Sequence, residues 1–437
     1  MDGTDGGEGP ATPVADRHLG QRIAVIGSGV SGLTAAYLLR DVHRVTVFES
    51  EARLGGHAHT HDVVSGQETF GVDSGFIVHN DRTYPYLRRL FAELEVDVHP
   101  TEMSMSIRCE RTGLEYAGGR GVKGIFAQRR RAADPRFLGL LLQIKRFQRL
   151  AARLLATPDD APDTVTFGEF LDSNGFSDYF VSYYAIPVVS CVWSSGQDVA
   201  LDYPARYLFE FLQHHGFLQV KGSPQWFTVE GGSRTYVERV AKAIGDVRAQ
   251  VAVTSVARTG EGVLVEDEHG ESHHFDKVVI ATHADDALAL LADPTTDERR
   301  LLGAFAYSQN ETALHRDPSL LPAAEQARSA WNYQTDGGTR SPRTVVTYWM
   351  NKLQGLQGTD QFLVTLNATD RIDPALVIAT MEYTHPLYTR ASVSAQRELP
   401  TLTTAQTAYA GAYHGWGFHE DGCRSGVQAA QAFGARW

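Results

Sequence analysis

The chain has 437 residues, of which 43% are hydrophobic and 21% charged, and its formal net charge at pH 7 is -12. This length accommodates two domains with a sizeable core, and the composition is ordinary for a globular protein. The negative charge argues against nucleic acid as the main partner. The sequence has no apolar run of bilayer-spanning length, no secretory leader pattern and three cysteines without paired spacing. We therefore expect a cytoplasmic protein without a redox disulfide.

The first motif is an apolar strand that enters a glycine-rich turn and a helix. The turn reads Gly27, Ser28, Gly29, Val30, Ser31, Gly32. Gly27 permits the tight turn, Gly29 lets the backbone approach a pyrophosphate, and Gly32 lets the helix pack closely on the strand. Val30 and Ser31 open the helix, whose first N–H groups then face the phosphates. The motif predicts dinucleotide binding.

A second apolar strand, residues 45–48, ends in Glu49 and Ser50. A carboxylate at this position accepts hydrogen bonds from the ribose hydroxyls of an adenine dinucleotide and repels a 2′-phosphate, which disfavours NADP. Arg53 and the pair Gly55 and Gly56 follow, so the chain can pass close to a bulky polyanion. A later turn, residues 72–77, is suited to bring backbone under a flat ring.

These residues resemble the FAD-binding half of the flavin amine oxidase and phytoene desaturase superfamily. The resemblance implies FAD rather than NAD. It also implies an α/β fold, in which a Rossmann-like FAD-binding domain of the glutathione-reductase and amine oxidase type carries an interleaved α+β substrate domain. We expect FAD to be bound by Gly27, Gly29, Val30, Ser31, Gly32, Glu49, Ser50, Arg53, Gly55, Gly56, His57, Gly75, Phe76, Ile77, Val253, Ala281, Glu420, Asp421, Ser425, Gly426 and Val427.

Some of these assignments depend on the resemblance alone. It places Glu420 or Asp421 on ribityl or phosphate oxygens and residues 425–427 near a flavin carbonyl, although an ordinary strand-to-helix connection is the alternative. It places Val253 over the adenine and Ala281 under the ADP, where plain sheet core is an equal alternative.

The resemblance also divides the chain. It implies an FAD-binding domain from residues 20–80, 226–298 and 401–437, and a substrate domain from residues 81–225 and 299–400. Residues 1–19 are rich in Gly, Asp and Pro, and we expect a disordered tail. Because only one dinucleotide turn is present, we expect the substrate or O2 to exchange electrons with the flavin directly.

Further segments narrow the resemblance. RLGGHAHT, DSGFIVHN, TYWMNKLQ, HPLY and GFHEDG are similar to a bacterial group of NAD/FAD-binding oxidoreductases whose genes commonly neighbour fatty-acid methyltransferases of the cyclopropane synthase type. This implies an apolar, fatty-acyl or lipid substrate that is dehydrogenated or oxidised by hydride transfer to flavin N5. The alternatives are an amine oxidase, an isomerase or mutase that uses reduced FAD, and a non-catalytic flavin-binding partner of a methyltransferase. The oligomeric state is left open.

Catalytic residues are suggested only by the resemblance. Amine oxidases often place a lysine near the flavin N5 through a water, and Lys352 is the candidate, with a surface lysine as the equal alternative. Tyr413 and Trp416 stand where those enzymes have aromatic side chains that face the flavin. Cys423 is interpreted as a small buried filler.

The residues His57, His59 and His61 alternate, so we expect them to share one strand face. We expect no metal site there, because no fourth ligand is visible and the flavin explains the local motif. His57 is instead expected beside the flavin, with covalent attachment as an alternative.

One stretch departs from the acidic background. Residues 129–153 contain many Arg and Lys side chains, and Asp134 is their single acid. Apolar residues recur there at helical spacing, which predicts a basic amphipathic helix. Such a helix can lie on an anionic membrane surface. The alternative is a solvated helix of the substrate domain whose apolar face belongs to the core.

Overall fold

The computed structural model describes residues 20–158, 165–218, 222–337 and 344–437. The tail expected over residues 1–19 lies outside the described residues. The strands are β1 Arg22–Ile26, β2 Arg44–Phe48, β3 Thr60–Ser65, β4 Glu68–Asp73, β5 Val78–Asn80, β6 Val98–Thr101, β7 Met105–Cys109, β8 Leu114–Gly118, β9 Trp226–Val229, β10 Val247–Arg248, β11 Val253–Thr259, β12 Gly262–Asp267, β13 Ser272–Phe275, β14 Lys277–Ile280, β15 Ala306–His315, β16 Trp331–Thr335, β17 Val345–Trp349, β18 Leu363–Leu366, β19 Val377–Leu387 and β20 Thr407–Tyr409. The α-helices are α1 Val30–Leu39, α2 Pro85–Glu93, α3 Gly121–Ile125, α4 Pro135–Leu155, α5 Phe167–Ser173, α6 Asp178–Phe180, α7 Ile186–Trp193, α8 Gln197–Asp202, α9 Ala205–His214, α10 Arg234–Ile244, α11 Ala284–Leu290, α12 Thr296–Leu302, α13 Met350–Leu353, α14 Arg390–Glu398 and α15 His419–Ala432.

A five-stranded parallel sheet, in the order β10-β2-β1-β14-β20, forms the nucleotide-binding layer. Alternate residues of β1 enter two different cores, as the pleat requires. Ile23 and Val25 pack with α1, α10 and α15, whereas Ala24 and Ile26 pack with the β11-β12-β13 meander and with α11 and α12. A parallel sheet covered on both faces explains why β1 is an almost continuous apolar run.

Helix α1 is buried along its whole length because it lies between the sheet and α15. Glycines of α15 make this close approach possible. A Cβ at Gly426 would lie 2.3 Å from the Ser31 carbonyl oxygen, and a Cβ at Gly422 would lie 2.7 Å from Val30 Cγ1. Helix α15 therefore packs closely against α1, the helix that begins at the first glycine turn.

A second, mixed sheet has the order β19-β15-β18-β17-β16-β7-β8. Aromatic residues of α4, α5, α7 and α9 pack with side chains of β7, β8, β16 and β17 in one core. Strands β17 and β18 pair antiparallel in the middle of this sheet. The expected α/β fold is confirmed, while the division of the chain at residues 81, 226, 299 and 401 stays a prediction.

The predicted basic amphipathic helix is α4. It begins at Pro135, and Asp134 caps it by accepting hydrogen bonds from the N–H groups of Arg136 and Phe137 at 3.0 and 3.4 Å. Phe137, Phe147 and their apolar neighbours on the same face are buried in the aromatic core. In the described part of the chain, every helix is too short or too polar to cross a lipid bilayer.

Candidate cofactor and substrate site

A cavity of about 740 Å³ opens at the carboxyl ends of β1, β2, β14 and β20, where ligands bind in open α/β sheets. Its volume lies within the range of ligand pockets, roughly 300–1,000 Å³. Fourteen of the residues expected to bind FAD line it: Gly27, Gly29, Val30, Ser31, Glu49, Ser50, Arg53, Gly56, His57, Gly75, Phe76, Ile77, Val253 and Ala281.

Each glycine of the turn is required for a different steric reason. Gly27 has φ +99°, and a Cβ there would lie 2.8 Å from the Ala281 carbonyl oxygen. A Cβ at Gly32 would lie 2.0 Å from the Gly27 carbonyl oxygen, so Gly32 serves the packing of helix on strand. A Cβ at Gly29 would meet nothing within 4 Å, although Gly29 lines the cavity. Gly29 therefore leaves room for a ligand rather than for the protein itself.

Glu49 lines the cavity and is held by donors from both sides. Its Oε2 accepts the Ser28 N–H at 2.9 Å and the Ser28 hydroxyl at 2.5 Å. Its Oε1 accepts the Glu51 N–H at 3.0 Å and the Ser50 hydroxyl at 3.2 Å. The carboxylate is thus fixed against the first glycine turn, at the position where a ribose is expected.

The second glycine pair packs onto the first turn. The Gly55 N–H donates to the Ser28 carbonyl at 3.1 Å, and a Cβ at Gly56 would lie 3.2 Å from the Gly29 Cα. Arg53 lines the cavity beside this contact and donates to the Ala58 carbonyl at 3.2 Å. Gly55 itself does not line the cavity, because its role is to bring the two turns together.

The turn at Gly75 closes against His57. A Cβ at Gly75 would lie 2.0 Å from the His57 carbonyl oxygen, which also accepts the Phe76 N–H at 2.7 Å. The Phe76 ring stacks on His419 with centroids 3.8 Å apart. The turn at residues 74–77 therefore lines the cavity beside the glycine turns, and its expected place under a flat ring stays a prediction.

His57 is half-buried, and its buried Nε2 atom has no hydrogen-bond partner among the described residues. Its ring lies 5.4 Å from that of His385 and 6.4 Å from that of His283. Burial, together with these imidazoles and that of His419, holds the pKa of His57 well below its usual range, so the ring is uncharged at neutral pH. An orphaned polar atom and the open space at Gly29 both fit a polar, extended dinucleotide such as FAD.

The expectation that His57, His59 and His61 share one face is wrong. Strand β3 begins only at Thr60, so the period of two does not extend back to His57. The His59 and His61 rings lie 4.0 Å apart, while His57 turns towards His385.

The C-terminal residues expected at the flavin do not line the cavity. Glu420 accepts the N–H groups of Tyr86 and Leu87, both at 3.0 Å, and so caps α2. Asp421 accepts the Phe418 N–H at 3.1 Å and pairs with Arg424 at 2.8 Å.

The remaining three residues of that group serve packing. Ser425 accepts the Gly411 N–H at 2.9 Å, Gly426 faces α1, and Val427 lies in the core. The segment just before them lines the cavity instead, through Gly411, Ala412, Tyr413, Gly417, Phe418 and His419. Because α15 turns Gly422 and Gly426 towards α1, the side chains of residues 420, 421, 425 and 427 do not face the cavity.

Of the expected catalytic residues, Tyr413 lines the cavity, and its buried hydroxyl has no partner among the described residues. Lys352 and Trp416 do not line it. The Lys352 Nζ pairs with Glu102 at 3.1 Å. Trp416 packs against Tyr207, with ring centroids 6.2 Å apart, and neighbouring rings.

Cys423 is buried, where its Sγ lies 3.5 Å from the Thr34 hydroxyl, and burial raises its pKa. This placement agrees with a small buried filler.

Sequence reasoning missed most of an apolar section of the cavity, which we call the aromatic wall. It consists of Cys191, Trp193, Phe211, Trp226, Trp331, Tyr348 and Phe418. These residues come from α7, α9, β9, β16, β17 and the residue before α15, and no local motif connects them. The charged side chains that line the cavity are Glu49, Glu51, Arg53, Asp286 and Glu382, and no lysine of the described residues does.

Comparison with known proteins agrees with this geometry. Residues 30–312 match the family of flavin containing amine oxidoreductases, and the chain belongs to that family. The flavin-containing amine oxidase B of Sus scrofa is 26% identical over 272 residues, which cover 59% of this chain and 49% of that enzyme. The matched part thus spans about half the length of this curated relative. The family is one of flavin-dependent oxidoreductases, and FAD is the expected cofactor.

Solved structures share the fold over nearly the whole chain. Cyclohexylamine oxidase from Brevibacterium oxydans IH-35A superposes with a TM-score of 0.67 at 18% identity, covering 94% of this chain and 98% of that chain. The CLA-producing fatty acid isomerase from P. acnes has a TM-score of 0.67 at 17% identity, covering 95% and 99%. At these identities the similarity concerns the fold alone.

Proposed function

We propose that this protein is an FAD-dependent oxidoreductase that dehydrogenates or oxidises an apolar, fatty-acyl substrate. Bound FAD would supply the two-electron acceptor that takes hydride from the substrate. The chain's own contribution is to bind the diphosphate at the turn around Gly29, to hold the ribose through Glu49 and to keep the substrate dry. The observation that carries the substrate assignment is the aromatic wall.

The aromatic wall favours a neutral hydrocarbon chain. Each methylene that leaves water contributes roughly 0.8 kcal/mol, and none of the residues in the wall carries a charge. An ammonium group in this section would lose its hydration without a carboxylate beside it. A fatty-acyl substrate is also supported by the fatty acid isomerase that shares the fold. The bacterial subgroup that the sequence resembles, whose genes neighbour fatty-acid methyltransferases, supports the same substrate.

Binding measurements on a chain-length series test this assignment. We expect saturated fatty acids to perturb the flavin absorbance with an affinity that rises about fourfold per methylene until the cavity is filled. Alkylamines of matched length should bind more weakly. If the affinity did not change with chain length and the amines bound more tightly than the fatty acids, the substrate would instead be an amine.

The amine oxidase alternative has one observation in its favour. Aromatic faces such as Trp331 and Tyr348, whose rings meet at 85°, can also hold an ammonium ion. Oxygen consumption separates the reaction types: an oxidase consumes O2 at each turnover, whereas an isomerase that uses reduced FAD works only after prior reduction.

We also propose that α4 contacts anionic membranes. Its outward face presents Leu142, 70% exposed, and Leu138, 39% exposed, beside Lys145 and Arg149. The helix contains no acidic residue. Apolar side chains flanked by Lys and Arg are the pattern of a helix that lies in the membrane interface.

Liposome sedimentation tests this contact. Neutralising Lys145, Arg146 and Arg149 with Gln should weaken binding to anionic vesicles about 100-fold, since each basic residue near such a surface contributes about 1 kcal/mol. Added salt should weaken wild-type binding in the same direction. A variant with three exposed basic residues replaced elsewhere, Arg44, Lys242 and Arg299, is the matched control. Equal loss in both variants, or no association of the wild type, would exclude α4 as the contact.

A further inference from the structure

A chain of hydrogen bonds runs through the cavity wall at the turn before Gly75. The Ser74 hydroxyl lies 2.7 Å from the Tyr383 hydroxyl and 2.8 Å from His61 Nε2. The Tyr383 hydroxyl lies 2.9 Å from His59 Nδ1. Four side chains that can each donate or accept a proton are therefore connected without a break.

This chain connects the inside of the cavity with the outside. Ser74 and Tyr383 line the cavity and are buried, with 4% and 7% exposure. His59 and His61 are only half-buried, and neither lines the cavity. The inner pair thus branches to two imidazoles at the outer end.

Burial, more than the neighbouring charges, lowers the pKa of both imidazoles and keeps them neutral. Burial, the neighbouring imidazole and Arg53 lower the pKa of His59 to about 3. Burial and Arg53 lower the pKa of His61, against the opposing effect of Asp62. A neutral imidazole can accept a proton, and a low pKa means that it releases the proton quickly to water.

Tyr383 keeps its proton. Burial raises its pKa to about 12, against the lowering effects of the Ser74 hydrogen bond and Arg53, and with smaller contributions from Asp73 and Glu51. The hydroxyl therefore passes protons on without remaining ionised. It acts as a link between the cavity and the outer imidazoles.

We infer that Ser74, Tyr383, His59 and His61 form a proton relay between the cavity and solvent. This inference rests on the proposed function. When a substrate gives up two electrons with one hydrogen as hydride, its second hydrogen leaves as a proton. Ser74 takes that proton while its own passes to His61 directly or to Tyr383, and Tyr383 passes its own to His59. The imidazole then releases one proton to water, so one proton enters the relay and one leaves it.

The relay works in the opposite direction when O2 takes the electrons back. Reduction of O2 to hydrogen peroxide needs two protons, and the one that was released earlier must return to the cavity. The two branches act in parallel. Loss of one outer imidazole therefore leaves an exit, whereas loss of both closes the relay.

Rapid mixing of the photoreduced, flavin-loaded protein with oxygenated buffer tests the relay without a substrate. Flavin absorbance reports reoxidation, and a pH-indicator dye reports proton uptake. The variants are His59→Gln, His61→Gln and the double variant, because Gln keeps a hydrogen-bonding amide but cannot carry a proton. His43→Gln is the matched control, since His43 is a half-buried, hydrogen-bonded histidine outside the cavity.

We expect each single variant to reoxidise within about twofold of the wild type and the double variant to be at least about tenfold slower, with proton uptake slowed in step. The solvent deuterium isotope effect should be largest in the double variant, and the midpoint potential should be unchanged. Wild-type rates in the double variant, or additive losses with no isotope effect, would overturn the relay while the flavin function stands. A purified protein that neither contains nor binds FAD would overturn both.

Discussion

Gly29 offers a substitution that separates cofactor binding from folding. Its backbone has φ -63° and ψ 173°, which any residue adopts, and a Cβ there would meet nothing within 4 Å. Yet Gly29 lines the cavity, directly before the first residue of α1. Gly29→Ala should therefore leave the protein folded and place a methyl group where the diphosphate approaches.

The magnitudes follow from these contacts. Ala restricts the unfolded chain and thereby stabilises the fold by about 0.4–1 kcal/mol, while replacing Gly at the N-cap of a helix costs about 1 kcal/mol. The free energy of unfolding should thus change little. A methyl group forced against a bound ligand costs about 1–3 kcal/mol of binding free energy, which corresponds to a dissociation constant about 5- to 150-fold larger.

The assay pairs urea unfolding of the apoprotein with a fluorescence titration of FAD. Gly32→Ala is the contrasting variant, because its Cβ would lie 2.0 Å from the Gly27 carbonyl oxygen and must distort the turn. We expect Gly32→Ala to lower the urea midpoint and Gly29→Ala to keep it. Unchanged FAD affinity in Gly29→Ala would refute the placement of the diphosphate at this turn.

Three further predictions concern single side chains. Glu49→Gln should weaken FAD binding about 10- to 100-fold in the same titration, because hydrogen bonds to a charged acceptor contribute about 1.5–3 kcal/mol, whereas the exposed control Glu266→Gln should bind normally. Burial raises the pKa of Glu420 to about 7, so ionisation in the folded state costs free energy once the pH exceeds the unfolded pKa. From about pH 5 to pH 8 the wild type should therefore lose up to about 3 kcal/mol of unfolding free energy relative to Glu420→Gln in urea titrations, and parallel curves would contradict this. Tyr413→Phe removes a buried hydroxyl that has no partner among the described residues. The free energy of unfolding of the apoprotein should therefore rise by about 1 kcal/mol, while FAD should bind more weakly. Equal FAD affinity would mean that the hydroxyl does not reach the cofactor.

The part of the site that the sequence predicted is the part built from consecutive residues. The strand, the turn at residues 27–32, the helix and Glu49 all follow from local rules about φ, close approach and strand ends. The same holds for Gly55 and Gly56, which have positive φ values and pack onto the first turn. Short-range geometry is enough for these positions, because each steric reason involves a neighbour in the motif or the adjacent strand.

The rest depended on contacts between distant segments. The resemblance placed residues 425–427 near the flavin, but Gly422 and Gly426, four residues apart, share the helix face that meets α1. The resemblance suggested Lys352 as a catalytic lysine, but its side chain pairs with Glu102, which is 250 residues away in the sequence. The aromatic wall is assembled from separate helices and strands, whose apolar residues look like ordinary core in the sequence.

The charges of the cavity explain why backbone geometry dominates its design. A diphosphate is anionic, yet among the described residues the charged side chains that line the cavity are four carboxylates and the single cation Arg53. Glu49 does not repel the ligand with its full charge, because four donors already surround its oxygens. The attraction must come from the N–H groups at the start of α1, whose partial positive charge acts only over the first turn. A ligand held by such short-range dipoles needs direct contact with the backbone, and this is why Gly29 must lack a side chain although the fold would accept one.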